Sequence, residues 1–148
     1  MLTIRNASTS DIPIILELLY ELGRPRPQED KDVEEFSNII TNYLLSKPTN
    51  KIIVAEYENK VVGMASMMLL SRLNRKSLEL YIPELVVQKD HQNRGIGKKM
   101  IEFCIDFAKQ YKCYRIRLES GNQRTDSHQF YKKLGFEQSS LSFTLNLK

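Results

Sequence analysis

The sequence predicts an α+β fold, a mixed and mostly antiparallel sheet flanked by about four helices. Three patterns carry that reading. The first third repeats apolar residues at helical spacing. Two apolar strands then meet at the short polar turn Glu58-Asn59-Lys60, and the second half runs strand, glycine turn, helix, strand. A chain of 148 residues matches the ~150 of one domain, so a single domain over residues 2–147 is expected.

Leu2–Arg5 reads as a short first strand. Thr9 or Ser10 can cap the helix that follows, because a hydroxyl accepts from amides left open in a first turn. Pro13 is tolerated there, since its missing N–H would have had no partner. Ile12, Ile15, Leu16, Leu19 and Leu22 form the apolar face, and Gly23 ends the helix. Gly23-Arg24-Pro25-Arg26-Pro27 must be a loop. A second helix is expected from Lys31 to Leu45, burying Val33, Phe36, Ile40, Tyr43 and Leu44, with Lys47-Pro48-Thr49-Asn50 closing it. Strands Ile52–Tyr57 and Val61–Leu69 make a hairpin, and Ser71–Lys76 is a polar turn. Leu78–Val87 is a long strand interrupted at Pro83, which cannot donate to a ladder. Gly97–Gln110 is a helix with Met100, Ile101, Cys104, Ile105 and Ala108 in one stripe. Tyr114–Leu118 is a strand and Asp126–Leu134 a short helix. Gly135 supplies its left-handed cap, with Phe136 packing back, and Phe143–Leu147 is a last strand.

Composition narrows the function classes. Apolar residues at 41% and charged residues at 27% suit a soluble globular chain. The apolar stretch Met64–Leu70 is far short of the ~20 residues that span a bilayer. The N-terminus lacks a signal-peptide layout, so a cytoplasmic protein without membrane association is expected. Cys104 and Cys113 form no metal-type cluster with the histidines, and both are expected to be reduced packing residues. The net charge of +4 comes from basic residues dispersed along the chain, which argues against nucleic acid and suits a polyanionic small molecule.

The most informative segment is Leu85-Val86-Val87, then Gln88–Arg94, then Gly95-Ile96-Gly97. A buried strand runs into a glycine turn that opens a helix. Amides at a helix start have no internal partner, and the helix dipole adds about half a positive charge there. Glycines let that backbone approach an anion, and Arg94, Lys98 and Lys99 add charge. Alone, the two glycines could merely make a turn. The nucleoside-triphosphate loop fails because Gly97-Lys98-Lys99 lacks the earlier glycine and the hydroxyl. The dinucleotide fingerprint fails because Met100 stands where its third glycine belongs.

Gln92-Asn93-Arg94-Gly95-Ile96-Gly97 resembles the Gln/Arg-x-x-Gly-x-Gly/Ala pyrophosphate loop of the GCN5-related N-acetyltransferase (GNAT) superfamily. Glu84-Leu85-Val86-Val87 precedes it at the matching distance, and Phe130-Tyr131-Lys132-Lys133-Leu134-Gly135-Phe136 is similar to the closing Phe-Tyr-x-x-x-Gly-Phe signature. The resemblance implies an acetyl-CoA-dependent N-acetyltransferase acting by direct transfer; the alternative is a catalytically silent acyl-CoA sensor, which would keep the loop and lose the acid and base. It also implies a central splay between the strand before the Gly95/Gly97 loop and the strand that follows. The pantetheine arm would pair with main-chain groups of Leu85, Val86 and Val87. The pyrophosphate would rest on the amides of the loop, among them Gln92, Asn93, Arg94, Gly95, Ile96, Gly97 and Lys98.

The chemistry needs two proton movements. An amine of pKa ~10.4 must lose a proton, and a departing thiolate of pKa ~8.5 leaves more easily protonated. Tyr131 stands where the family carries its general acid and also touches the cofactor. Glu84, beside Pro83 in an apolar strand, is the candidate base, directly or through water, with desolvation expected to raise its pKa. A solvent-facing carboxylate that simply binds the substrate ammonium is the other reading, and Glu79 is the alternative base. Arg124 replaces the asparagine usual seven residues before the tyrosine. The run Arg124-Thr125-Asp126-Ser127-His128-Gln129-Phe130-Tyr131 resembles aminoalkylphosphonate N-acetyltransferases. Arg124 would then reach a coenzyme phosphate or an anionic substrate group, and His128 would fix the helix start or titrate near neutrality. Arg24 and Arg26 could attract an anionic group on a small-molecule amine acceptor or simply be solvated loop residues, and a protein N-terminus or lysine, or an aminoglycoside, stays open as the acceptor. A homodimer through the last strand is also expected.

Overall fold

A computed structural model describes residues 1–46, 49–122 and 124–147. Among them the chain order is β1 (Leu2–Asn6), α1 (Ile12–Glu21), α2 (Asp30–Leu45), β2 (Asn50–Tyr57), β3 (Lys60–Leu70), β4 (Glu79–Ile82), β5 (Leu85–Val87), α3 (Ile96–Gln110), β6 (Arg115–Leu118) and α4 (Thr125–Lys133). The strands form one mixed sheet in the order β1-β2-β3-β4-β6, with β5 paired to β3. β2 lies between β1 and β3 and pairs antiparallel with each. The β2–β3 hairpin turns on Glu58 (φ 51°) and Asn59 (φ 65°), a two-residue left-handed turn whose twist matches the strands it joins.

Pro83 divides the strand that sequence reads as Leu78–Val87. β3 pairs Met68 with Tyr81 and, further along, Ala65 with Leu85. Between these pairs β3 contributes Ser66 and Met67, while the facing chain contributes Ile82, Pro83 and Glu84. One extra residue opposite a ladder is a β-bulge, which bends a strand and re-aims a side chain. β6 follows β4, so the outer edge of β5 carries no strand among the described residues. This is the splay expected before the glycine loop.

Ile52, Ile53, Val54 and Ala55 of β2 are all buried, as expected of a strand covered on both faces. Ile52, Val54, Met64 and Val86 pack against Ile12, Ile15 and Leu16 of α1 and Ile40 of α2. Ile15 and Ile53 are fully buried, a burial worth about 1.5–3 kcal/mol per side chain. On the other face α3 buries Met100, Ile101, Cys104, Phe107 and Ala108. Gly63 permits that approach: a Cβ there would stand 3.1 Å from both Met100 Sδ and the Val86 carbonyl.

Several local expectations are corrected. Ser8, not Thr9 or Ser10, begins the turn before α1, with its N–H donating to Asp11 Oδ2 at 2.8 Å. Asp11 is buried because Arg5 grips both its oxygens, at 2.8 and 3.0 Å. Val33 faces solvent, because only the middle of α2 meets the sheet, and Ile40 is its buried residue. Phe107 takes the buried place expected for Ile105, which is half-buried. The expected helix closure at Lys47 and Pro48 lies outside the described residues, and Asn50 already belongs to β2.

The chain divides into two compact units, Met1–Arg117 and Leu118–Lys148. In the second, Gly135 (φ 98°) and Phe136 close α4 by donating to the carbonyls of Lys132 and Tyr131, both at 3.0 Å. The expected strand Phe143–Leu147 does not form. A strand is held by a ladder, and this stretch has none among the described residues. Phe143, Leu145 and Leu147 are between 84% and 90% exposed.

Candidate active site

The bulge sets up a polar cluster on the α1–α2 face of the sheet. Ser66, buried within an otherwise apolar run of β3, is locked to Glu84 by three hydrogen bonds. Its N–H donates to the Glu84 carbonyl at 2.9 Å, and its Oγ accepts from the Glu84 N–H at 3.1 Å. The same hydroxyl donates to Glu84 Oε1. The loop after α1 supplies Arg24, whose Nη2 donates to the Pro83 carbonyl at 3.2 Å and to Glu84 Oε2 at 3.4 Å. Tyr43 of α2 donates to the Met67 carbonyl at 2.9 Å. Burial, and next the Glu84 charge, push its phenol well above the ordinary value, so it stays protonated at any working pH. Glu84 is therefore oriented by one neutral hydroxyl and faced by one cation. Arg26 lies elsewhere, 4.9 Å above the Tyr20 ring.

Beyond the end of β5 is the glycine turn. The Gln88 N–H donates to the Val62 carbonyl at 2.7 Å, and the Gln92 side chain donates to the Val87 carbonyl at 3.0 Å. Asn93 (φ 64°) and Gly95 (φ 81°) are both left-handed, which aims successive amides outward, and Ile96 is buried as the anchor of α3. Gln92, Asn93, Arg94, Gly95 and Lys98 are exposed. A Cβ built at Gly95 would meet nothing within 4 Å, so the space before the helix start is open. Open amides, exposed cations and the unpaired β5 edge fit an extended ligand carrying a pyrophosphate.

Glu79 does something else. It is fully buried, with Arg115 Nε at 2.5 Å, Arg117 Nε at 3.0 Å and Arg72 at 4.0 Å. Burial alone would raise its pKa, but the hydrogen bonds from Arg115 and Arg117 outweigh it and hold the carboxyl below its ordinary range. A carboxylate so engaged is a weak proton acceptor, which favours Glu84 over Glu79 as the base.

In the second unit Tyr131 lies on α4, its ring 5.1 Å from Phe130 and 5.7 Å from Phe136. Arg124 stands at the N-cap of α4, where its carbonyl accepts from the His128 N–H at 3.1 Å. His128 Nε2 lies 2.8 Å from the Gly121 carbonyl, so the ring donates there and fixes the helix start. Sequence reasoning missed Ser66 and Tyr43. A lone serine amid apolar strand residues was the available signal for the first; Tyr43 reads as ordinary helix core. Among the described residues no three His, Cys, Asp or Glu side chains gather as a metal site.

The family model described as acetyltransferase (GNAT) family matches residues 15–136, running through both units. Glucosamine 6-phosphate N-acetyltransferase of Trypanosoma brucei brucei is 28% identical, over 99% of this chain and 96% of its own. The aminoalkylphosphonate N-acetyltransferase of Salmonella typhimurium is 28% identical over 95% of this chain and 88% of its own. A longer, uncharacterized N-acetyltransferase of Methanocaldococcus jannaschii is matched over 61% of its length. Among solved structures, one titled a transcriptional regulator from Bacillus halodurans superposes with a TM-score of 0.90 at 26% identity, covering 99% of this chain and 100% of that one.

Proposed function

The chain belongs to the acetyltransferase (GNAT) family, and from that premise we propose that it moves the acetyl group of acetyl-CoA directly onto the primary amine of a small anionic molecule. Glu84 is the base in this reading and Tyr131 the acid. The observation that carries it is the Pro83 bulge, where Ser66 and Arg24 hold the Glu84 carboxylate on the strand that leads through β5 into the left-handed glycine turn.

Bound acetyl-CoA supplies an acyl group activated as a thioester. Main-chain groups of β5 and the amides of Gly95, Ile96, Gly97 and Lys98 would hold it, with Arg124 directed to a phosphate. An incoming ammonium of pKa ~10.4 has to be deprotonated, and Glu84 Oε2 accepts that proton, directly or through one water. Ser66 keeps the carboxylate aimed while the charge changes. Tyr131 Oη delivers a proton to the leaving sulfur and recovers it from solvent. Neither cysteine offers a nucleophile for a covalent detour. Burial pushes the Cys104 thiol up to about 12 and raises Cys113 as well, so neither is a thiolate at neutral pH.

Arg24 supports the anionic acceptor. An amine that also bears a phosphate, phosphonate or carboxylate can exchange ion-pair partners at this spot, ammonium to Glu84 and anion to Arg24, leaving no charge unpaired. The two named relatives act, by their names, on such molecules. The test compares wild type and Arg24→Gln on an aminoalkylphosphonate, an amino-sugar phosphate and neutral amines of similar size. A KM raised at least tenfold for the charged acceptors alone is expected. An equal effect on neutral amines would remove the anion from the reading. We also propose a homodimer in which the apolar alternation of Phe143, Leu145 and Leu147 finds a ladder on a second copy. A monomer by light scattering at high concentration would overturn it.

A further inference from the structure

Far from the glycine turn, the fold gathers cations that are scattered in sequence. Arg72 and Arg75 lie in the turn between β3 and β4, and Arg115 and Arg117 lie on β6. Three of them approach Glu79 to within 4.0 Å. The fourth, Arg75, stacks 4.5 Å above the Tyr114 ring, and Arg117 also stacks 4.4 Å above Tyr81. Four guanidiniums against one carboxylate leave a surplus of three positive charges, most of the net +4 of the chain. Burial of Glu79 requires two close cations; it does not require four. The side chains of Arg72 and Arg115 remain 45% and 46% exposed and present N–H groups to solvent; Glu79 and the Tyr114 ring, 5.3 Å away, orient Arg115, while Arg72 stands 4.0 Å from Glu79.

This patch is not the donor phosphate site. Gln88 bonds to Val62 at one end of β3, while Glu79 pairs with Leu70 at the other. About eight strand steps of ~3.3 Å separate them, roughly 26 Å. Glu84 lies between.

We propose that this arginine cluster is a second anion site, which takes a small molecule carrying two or three phosphate groups. The four cations crowd around one carboxylate and two rings, a compact footprint that suits an oligophosphate. A nucleic-acid strand would ask for a groove of cations tracking successive phosphates. Planar guanidinium forks match phosphate oxygens in pairs, and holding them on aromatic rings lowers the entropy lost on binding.

The test is calorimetric titration of sodium tripolyphosphate into the full chain at low salt, with coenzyme A saturating so that the glycine turn is filled. One site is expected, weakened at least tenfold in Arg72→Gln/Arg75→Gln, with amine acetylation unchanged. Arg72→Lys/Arg75→Lys should recover part of the affinity, since it restores charge without the fork. Three results would overturn the proposal. Coenzyme A could abolish the tripolyphosphate signal, the double variant could bind as wild type does, or a single-stranded oligonucleotide could bind tenfold tighter through the same arginines.

Discussion

Replacing Glu79 by glutamine separates a structural carboxylate from a chemical one. The side chain is fully buried, and it accepts from Arg115 at 2.5 Å and from Arg117 at 3.0 Å. Each hydrogen bond to a charged group is worth about 1.5–3 kcal/mol. Glutamine keeps one acceptor oxygen and is cheaper to bury, and the arginines can turn partly to water, so the loss falls short of the sum. A net cost of about 2 kcal/mol follows, below the roughly 3–5 kcal/mol of breaking a buried pair outright. For a chain of this size that corresponds to a fall in Tm of roughly 6–8 °C. Thermal unfolding followed by circular dichroism measures it, and acetyl-CoA-dependent thiol release below the transition measures turnover. Lower Tm with unchanged kcat is expected. Wild-type Tm with lost turnover would place Glu79 in the chemistry and refute the assignment of the proton to Glu84.

Gly95→Ala puts a Cβ at φ 81°, which costs roughly 1–2 kcal/mol, and places it in the open space before α3; Tm should drop slightly while KM for acetyl-CoA rises severalfold. Gly63→Ala forces a Cβ to 3.1 Å from Met100 Sδ and from the Val86 carbonyl, and should lower stability by about 1–3 kcal/mol in urea unfolding with little effect on KM. Asp11 is held below its ordinary pKa, first by its hydrogen bonds to Arg5, and Glu79 is held below its own by Arg115 and Arg117 despite burial. Depressed carboxyls contribute stability that is complete above their unfolded pKa of about 4 and lost as pH falls through the folded values. Urea midpoints should therefore hold from pH 7 to about 5 and drop below about 4, less steeply in Asp11→Asn. Cys104 and Cys113 should resist iodoacetamide at pH 7.5 in the folded protein, and their replacement by alanine should leave acetyl transfer in place.

How much of this was legible in the sequence depends on whether the signal was local. Helix α3 and the turn before it were readable because glycine, strand and apolar stripe all fall within residues 85–108. Pro83 announced an interruption for the same reason: a missing N–H is a property of one residue. The bulge register, in which three residues oppose Ser66 and Met67, was not readable, because it depends on two strands far apart in sequence. Glu79 and Glu84 look alike as letters in a strand. Only the fold shows that one meets the arginines of β6 while the other meets Ser66 and Arg24. The dispersal of basic residues misled in the same way, since Arg72, Arg75, Arg115 and Arg117 are distant in sequence and adjacent in space. Phe143–Leu147 shows the converse. Its alternation is a sound local strand signal, but a strand forms only where a ladder partner exists.

The central claim is that a proton leaves the amine at Glu84 and another reaches the sulfur from Tyr131. The most direct measurement is acetyl-CoA-dependent thiol release with a panel of small amines, run across pH for wild type, Tyr131→Phe and Glu84→Gln. The account predicts amine-dependent release in wild type and a fall of kcat by about 10²–10⁴-fold in each variant at every pH tested. Release that persists in both variants, or none from wild type with any amine despite measured coenzyme A binding, would contradict it.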